Sequence, residues 1–268
     1  GFQKQELYGL YRWRKIGVNQ PSRLNKVCIT YIMKKLLEHW RKFIKEGEEN
    51  TTKEFPYQVY CDMDGVLVDF EYSAVDKINE TLKDPTHPLT HLSKIVIEEL
   101  GREYITLADL KKGRHLSSSI AVRNLMQPLL EDDEEWWANL PYLEEGKKIW
   151  SVISKFKPEP IILTSPMDQN GKKGSLEGKK RWIKANLELD TNVEVIFSHD
   201  KYEYAIKDGK ATILIDDYEK NVRLFKEHGG FIIHHVNSAK NSLKTLDEIE
   251  ETENVEEMGN NGELERDF

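Results

Sequence analysis

Four short apolar runs beyond Pro158, PIILT, VEVIF, ATILI and GFIIHH, alternate with the helical stretches LEGKKRWIKANL and YEKNVRLFKEHGG, and this alternation restricts the fold more than any other feature. Strands separated by helices cannot be joined as hairpins, so they need crossover connections and run parallel, with helices on both faces of the sheet. A fifth run, residues 57 to 61, belongs to the same sheet, and 67 to 83 turn helical. From about 84 to 157 no strand pattern is sustained. LSKIVIEELGREY, SIAVRNLMQPLL and DDEEWWANL read as helices, with loops around Pro85, Pro88, Gly113 and Pro141. The expectation is an α/β domain whose sheet is interrupted, between its first and second strands, by a helical insertion.

Residues 1 to 50 form a separate region. Leu24, Val27, Tyr31, Leu36, Trp40, Phe43 and Ile44 recur near helical spacing, after Pro21 and a capping Ser22. The region holds eleven Lys and Arg against five Glu, a balance of +6 in a chain whose total is −8. KEGEENTTKEFP then reads as a linker, and the acidic tail, 251 to 268, as solvated coil. Tyr8, Tyr11, Trp13 and Trp40 among the basic residues keep a nucleic-acid, homo-oligomer or protein-partner role open for the extension, although no specific nucleic-acid motif is present. Two cysteines exclude a disulfide scaffold, and Cys61 lies inside a buried strand, so a reducing, cytoplasmic setting is expected. No apolar stretch is long enough for a membrane span, and no secretory leader is visible. The chain opens on Gly1, as a cloning scar, a processed product or an excised segment would.

In a parallel sheet, ligands sit beyond the carboxyl ends of the strands. The polar residues there are Asp62 and Asp64 after the first strand, Thr164 and Ser165 after the second, Asp200 and Lys201 after the third, and Asp216 and Asp217 after the fourth. Convergent carboxylates repel one another unless a cation intervenes. Mg²⁺ suits such a set, because it takes a few carboxylates together with waters and phosphate oxygens. A threonine hydroxyl and a lysine add donors for phosphate oxygens. The pattern points to phosphoryl chemistry.

DMDGVLVD, ILTSP, a lysine and ILIDD, in this order and each after a strand, resemble the haloacid dehalogenase superfamily of aspartate-nucleophile phosphohydrolases. YCDMDGVLVDFE, WANLPYLEEGKKIW, LTSP, HDK and LIDDYEKN are most similar to its 5'(3')-deoxyribonucleotidase branch, over about 57 to 250. The resemblance implies a Rossmann-like sheet with a helical cap at 84 to 157 and a core at 57 to 83 and 158 to 250. It implies Asp62 as nucleophile, Asp64 as general acid and base, and Thr164 and Lys201 as charge stabilisers. Mg²⁺ would be held by Asp62, the Asp64 backbone carbonyl and Asp216, with Asp217 supporting. Phe70, Trp136, Trp137 and Ser165 would contact the substrate, and Arg114 and Arg123 its anionic part. Gly65 lets the backbone turn tightly beside the phosphate. The interval from Lys201 to Asp216 is longer than in that branch, around AIKDG, which leaves Lys179, Lys180 and Lys172 as other sources of the charge.

An isolated DxD is common in turns, Thr164 taken singly is an ordinary strand-end hydroxyl, and Lys201 a loop lysine; their serial placement makes them a site. Trp136 and Trp137 cannot share one helix face, so at least one is core. His234 and His235 point to opposite faces of a strand, with no third ligand apparent. The expected activity is Mg²⁺-dependent hydrolysis of a nucleoside monophosphate through an aspartyl-phosphate. The alternatives are a phosphatase of another small phosphomonoester or of a nucleic-acid end, and a non-catalytic interaction protein using the basic helix.

Overall fold

The computed structural model describes residues 52–111, 116–168, 171–187 and 193–263, with 252–263 described by backbone alone. The helical extension expected at 1 to 50, Arg114 and the last five residues of the tail lie outside them. In chain order the strands are β1 (Lys53–Glu54), β2 (Val59–Cys61), β3 (Phe156–Lys157), β4 (Ile161–Thr164), β5 (Val195–Phe197), β6 (Ile206–Lys207), β7 (Lys210–Ala211), β8 (Ile213–Asp216) and β9 (Phe231–His234). The helices are α1 (Phe70–Lys83), α2 (Thr90–Leu100), α3 (Leu107–Lys111), α4 (Ser117–Leu130), α5 (Glu134–Ala138), α6 (Glu144–Ile153), α7 (Gly174–Asn186), α8 (Glu219–Glu227) and α9 (Ala239–Glu263).

The five runs expected as strands form one parallel sheet in the order β5-β4-β2-β8-β9. Side chains alternate across it. Val59, Cys61, Ile162, Ile213, Ile215 and Ile233 enter one core with Ile149 of α6, Trp182 of α7 and Leu246 of α9. Tyr60, Ile161, Leu163 and Leu214 enter the other with Phe225 of α8. Both faces are therefore covered, which is why these strands read as unbroken apolar runs. From β2 the chain crosses to β4 on one side and later to β8 on the other, so the strand order reverses between β2 and β8. A crevice at that reversal, at the carboxyl ends, is where such sheets bind ligands.

Residues 63 to 69 form a tight loop in which Leu67 and Val68 both donate to Met63 O, and α1 starts only at Phe70, capped by the Asp69 carboxylate on Tyr72 N. Helix α1 packs on α2, α3 and α4 of the insertion, and its Ala74, Val75, Ile78 and Leu82 join the same core as β2. Helix α6, counted with the cap from sequence, packs on α9 instead, and its Gly146 lies directly on the backbone of Val66 and Leu67. The end of the expected linker forms β1, which pairs with β3, and Phe55 stacks on Phe156 at 4.3 Å. The acidic tail, expected as coil, continues α9 as far as Glu263. Among the described residues no helix is long and apolar enough to cross a membrane.

Candidate active site

Strand pairing delivers the acidic residues to one place. Asp62 N donates to Ile215 O at 2.9 Å, which keeps the residue after β2 in register with the end of β8, and Asp216 closes β8 itself. Carboxylate oxygens of Asp62, Asp216 and Asp217 all lie within 4.8 Å of one another. Lys201 Nζ stands between two of these carboxylates, 2.7 Å from Asp62 Oδ1 and 2.8 Å from Asp216 Oδ2. Burial works against its charge, but Asp62 and Asp216 overcome that and hold the ammonium above the ordinary lysine range.

The long interval from Lys201 to Asp216 does not displace the lysine. Its extra residues form the β6–β7 hairpin, whose tip, Asp208 and Gly209, has positive φ at both positions, the conformation an Asp-Gly turn favours. The 3-10 turn Lys201–Tyr204 is tied down separately, by Thr212 Oγ1 donating to Tyr204 O at 2.6 Å.

Asp216 is fixed on both oxygens. Oδ1 accepts from Tyr218 N at 2.8 Å, and Oδ2 accepts from Lys201 and from Asn221 Nδ2 at 3.0 Å. Asn221 joins the residues expected from sequence, and its position on the first turn of α8, just after the acidic pair, is the signal for such a role. The Asp217 carboxyl lies against the backbone of Gly65. A Cβ on Gly65, which has φ +75°, would come within 2.9 Å of Asp217 Oδ1 and closer still to the rest of that carboxyl group. The missing side chain thus accommodates Asp217.

Lys179 forms a second ion pair. It sits on α7, in the inward face made by Ser175, Gly178, Trp182 and Ile183, and its side chain is 0% exposed. Its ammonium donates to Asp64 Oδ2 at 2.7 Å, Thr164 Oγ1 at 3.0 Å and Ser165 O at 2.8 Å. The two lysines divide the work: Lys201 serves Asp62 and Asp216, and Lys179 serves Asp64 and Thr164. Lys172 and Lys180 face outward, paired with Asp132 and Glu177. The lysine pattern itself carries the signal for Lys179, a charged residue falling in register with Trp182 and Ile183 on an otherwise apolar or small face.

The expected substrate contacts separate. Phe70 and Trp136 are partly buried and meet edge to face at 5.9 Å. Trp137 corrects the expectation: at 1% exposure it is core and offers no open face to a base, with Nε1 donating to Leu130 O at 2.7 Å. Ser165 Oγ donates to Ser198 O at 2.8 Å, so its proton is committed to joining the loops after β4 and β5. His234 donates from Nε2 to Asp217 O, and His235 packs inside against Ser242, so the two histidines diverge as expected.

Charge defines what the cluster lacks. Four carboxylates, Asp62, Asp64, Asp216 and Asp217, face two ammonium groups. Burial and the neighbouring Asp62 push Asp217 up to about 8 and Asp216 up to about 6. A divalent cation among Asp62, Asp216 and Asp217 would balance the set, and these hard oxygen donors fit Mg²⁺.

No family model and no curated protein matches the chain. Among solved structures, it is similar to a HAD-superfamily hydrolase from Ehrlichia chaffeensis, with 15% identity, 74% of this chain and 97% of that one covered, and a TM-score of 0.40. It is also similar to L-2-haloacid dehalogenase from Xanthobacter autotrophicus, with 14% identity, coverage of 70% and 80%, and a TM-score of 0.37. A third is a HAD-superfamily hydrolase, subfamily IA, variant 1, from Geobacter sulfurreducens PCA, with 14% identity, coverage of 71% and 96%, and a TM-score of 0.38. What the site can do follows from its own residues.

Proposed function

We propose that the protein is a Mg²⁺-dependent phosphomonoester hydrolase acting on a nucleoside monophosphate through an aspartyl-phosphate. The observation that carries this reading is the Lys201 ammonium set between Asp62 and Asp216, with Asp217 completing a group of three carboxylates. A lysine held on an aspartate at the end of a strand orients a nucleophile and offers positive charge to the oxygens of the phosphorus it attacks.

In the first step a carboxylate oxygen of Asp62 forms a bond to phosphorus and the bond to the ester oxygen breaks, its electron pair leaving with the alcohol. Asp64 gives that oxygen its proton. Burial raises the Asp64 carboxyl above the usual range while Lys179 opposes, and Oδ1, which is buried without a hydrogen-bond partner, is the atom left to carry the proton. In the second step Asp64 takes a proton from water as the water oxygen attacks phosphorus. Phosphate leaves and the Asp62 carboxylate is restored.

Thr164 Oγ1 accepts from Lys179, which leaves its own O–H free to donate to a phosphoryl oxygen. Mg²⁺, held by Asp62, Asp216 and Asp217, would supply positive charge for the phosphoryl oxygens. The partly buried corner of Phe70 and Trp136 supports a flat leaving group such as a nucleoside over a purely aliphatic one. A purely binding role leaves two buried lysines with four carboxylates unexplained.

Assay of released phosphate over a panel of nucleoside 5'- and 3'-monophosphates and small phosphomonoesters, with and without Mg²⁺, tests this reading. Mg²⁺-dependent turnover abolished in Asp62→Asn is expected; inactivity of the wild type across the panel overturns it.

A further inference from the structure

The ammonium of Lys179 has three N–H groups, and all three are used, by Asp64, Thr164 and Ser165 O. These acceptors leave the remainder of the cation's surface inside the protein with no water to face. What lies there is the ring of Trp137, with its centroid 4.8 Å from Nζ. An aromatic face suits a buried cation because it attracts the charge without competing for its N–H groups, whereas an aliphatic wall would leave the charge desolvated and pull the lysine toward other acceptors. The ring is fixed in turn by its Nε1 bond to Leu130 O and by Phe70 stacked on it at 5.4 Å and 15°. Close approach of α5 to α7 brings it there: a Cβ on Gly178, the residue before Lys179, would fall 2.5 Å from Glu134 O.

We propose that Trp137 is a positioning residue, whose indole face holds the Lys179 ammonium on Asp64 and Thr164, and not a wall of the substrate site. This rests on the phosphomonoesterase reading above. Trp137 touches no reacting atom. It acts through Lys179, so its contribution falls on the chemical step and not on substrate capture.

The test compares Trp137→Phe with Trp137→Leu, using the preferred phosphomonoester and saturating Mg²⁺, with thermal melts to confirm folding. Both variants lose the Nε1 bond and much of the ring volume, but only Phe keeps an aromatic face. Trp137→Leu is expected to lower kcat about tenfold or more, the size a desolvated cation–ring contact carries, with KM within about twofold. Trp137→Phe should recover most of that loss. In a Lys179→Met background, Trp137→Leu should cost little further kcat, since the group it positions is gone. Trp137→Met replaces the Leu variant if the latter does not fold. Equal kcat losses in the Phe and Leu variants, a loss confined to KM, or full additivity with Lys179→Met overturns the proposal while the wild-type activity leaves the enzyme reading standing. A wild type inactive on every phosphomonoester, matched by Asp62→Asn, overturns both.

Discussion

Lys179 reaches across 115 residues of sequence to place its ammonium 2.7 Å from Asp64, joining helix α7 to the loop that follows β2. The pair is buried on the lysine side and partly open on the aspartate side, which suits the proton exchange proposed for Asp64.

Lys179→Met should therefore lower kcat about 10²-fold, the share general acid and base catalysis usually holds, and should destabilise the protein because Asp64 loses the partner of a buried pair. Lys172→Met and Lys180→Met, whose side chains are 48% and 50% exposed, should leave kcat within about twofold, as surface ion pairs contribute little. Phosphate release and thermal melts of the three variants decide it. A loss of kcat at Lys180 comparable with that at Lys179 would mean that the inward lysine of this helix is misassigned.

Gly65→Ala places a methyl group against the Asp217 carboxyl at a backbone φ of +75°, where an L side chain is already strained. The change should destabilise the fold by about 1 kcal/mol or more and raise the Mg²⁺ concentration needed for half-maximal rate. A Mg²⁺ titration of activity beside a denaturant melt measures both. An unchanged Mg²⁺ requirement would show that Asp217 takes no part in holding the ion.

The sheet was legible in the chain because its inner strands β2, β4 and β8 are buried on both faces and therefore write themselves as apolar runs, and because the acids at the ends of β2 and β8 interrupt those runs abruptly. The hairpin of β6 and β7 was visible only as extra length around AIKDG, since two-residue strands leave no periodicity. Lys179 was hidden among five lysines and an arginine between 172 and 184; helical register with Trp182 and Ile183 marks it, but side-chain charge alone argues for the surface. The choice between Trp136 and Trp137 depends on how α5 meets α7 at Gly178, a tertiary contact with no local signature. The neighbours of α1 and α6 were hidden for a similar reason: both helices are amphipathic, and which element covers each apolar face is decided by the fold.

Asp217 and Asp216 hold carboxyl groups at about 8 and about 6, well above the unfolded value near 4, because they are buried beside Asp62. Between about pH 4 and pH 8 the folded, metal-free protein thus binds more protons than the unfolded chain, so its stability falls as pH rises through this window and levels off above it. Mg²⁺ relieves the same repulsion. The rise in melting temperature on adding Mg²⁺ should consequently be larger at pH 8 than at pH 5, and Asp217→Asn should flatten the metal-free pH dependence. Melts at the two pH values, with and without Mg²⁺, supply the comparison; equal Mg²⁺ shifts at both would contradict the cluster as the ion's site.

Trp136 stands at the edge of Phe70, and both are only partly buried, so under the proposed function this corner is the candidate surface for the nucleoside. Removing the indole in Trp136→Ala should reduce kcat/KM for a nucleoside monophosphate about tenfold or more, since stacking of a base on an aromatic side chain is worth about 1–3 kcal/mol. For a small aliphatic phosphomonoester, which has no flat face to lose, the reduction should be smaller, so the variant narrows the preference between the two substrates. Parallel kinetics on both classes test the point, because a change in stability alone would lower the two values together. If both fall by the same factor with the fold intact, the corner does not read the leaving group, and substrate choice must lie elsewhere in the helical insertion, with Arg123 on α4 the next side chain to substitute.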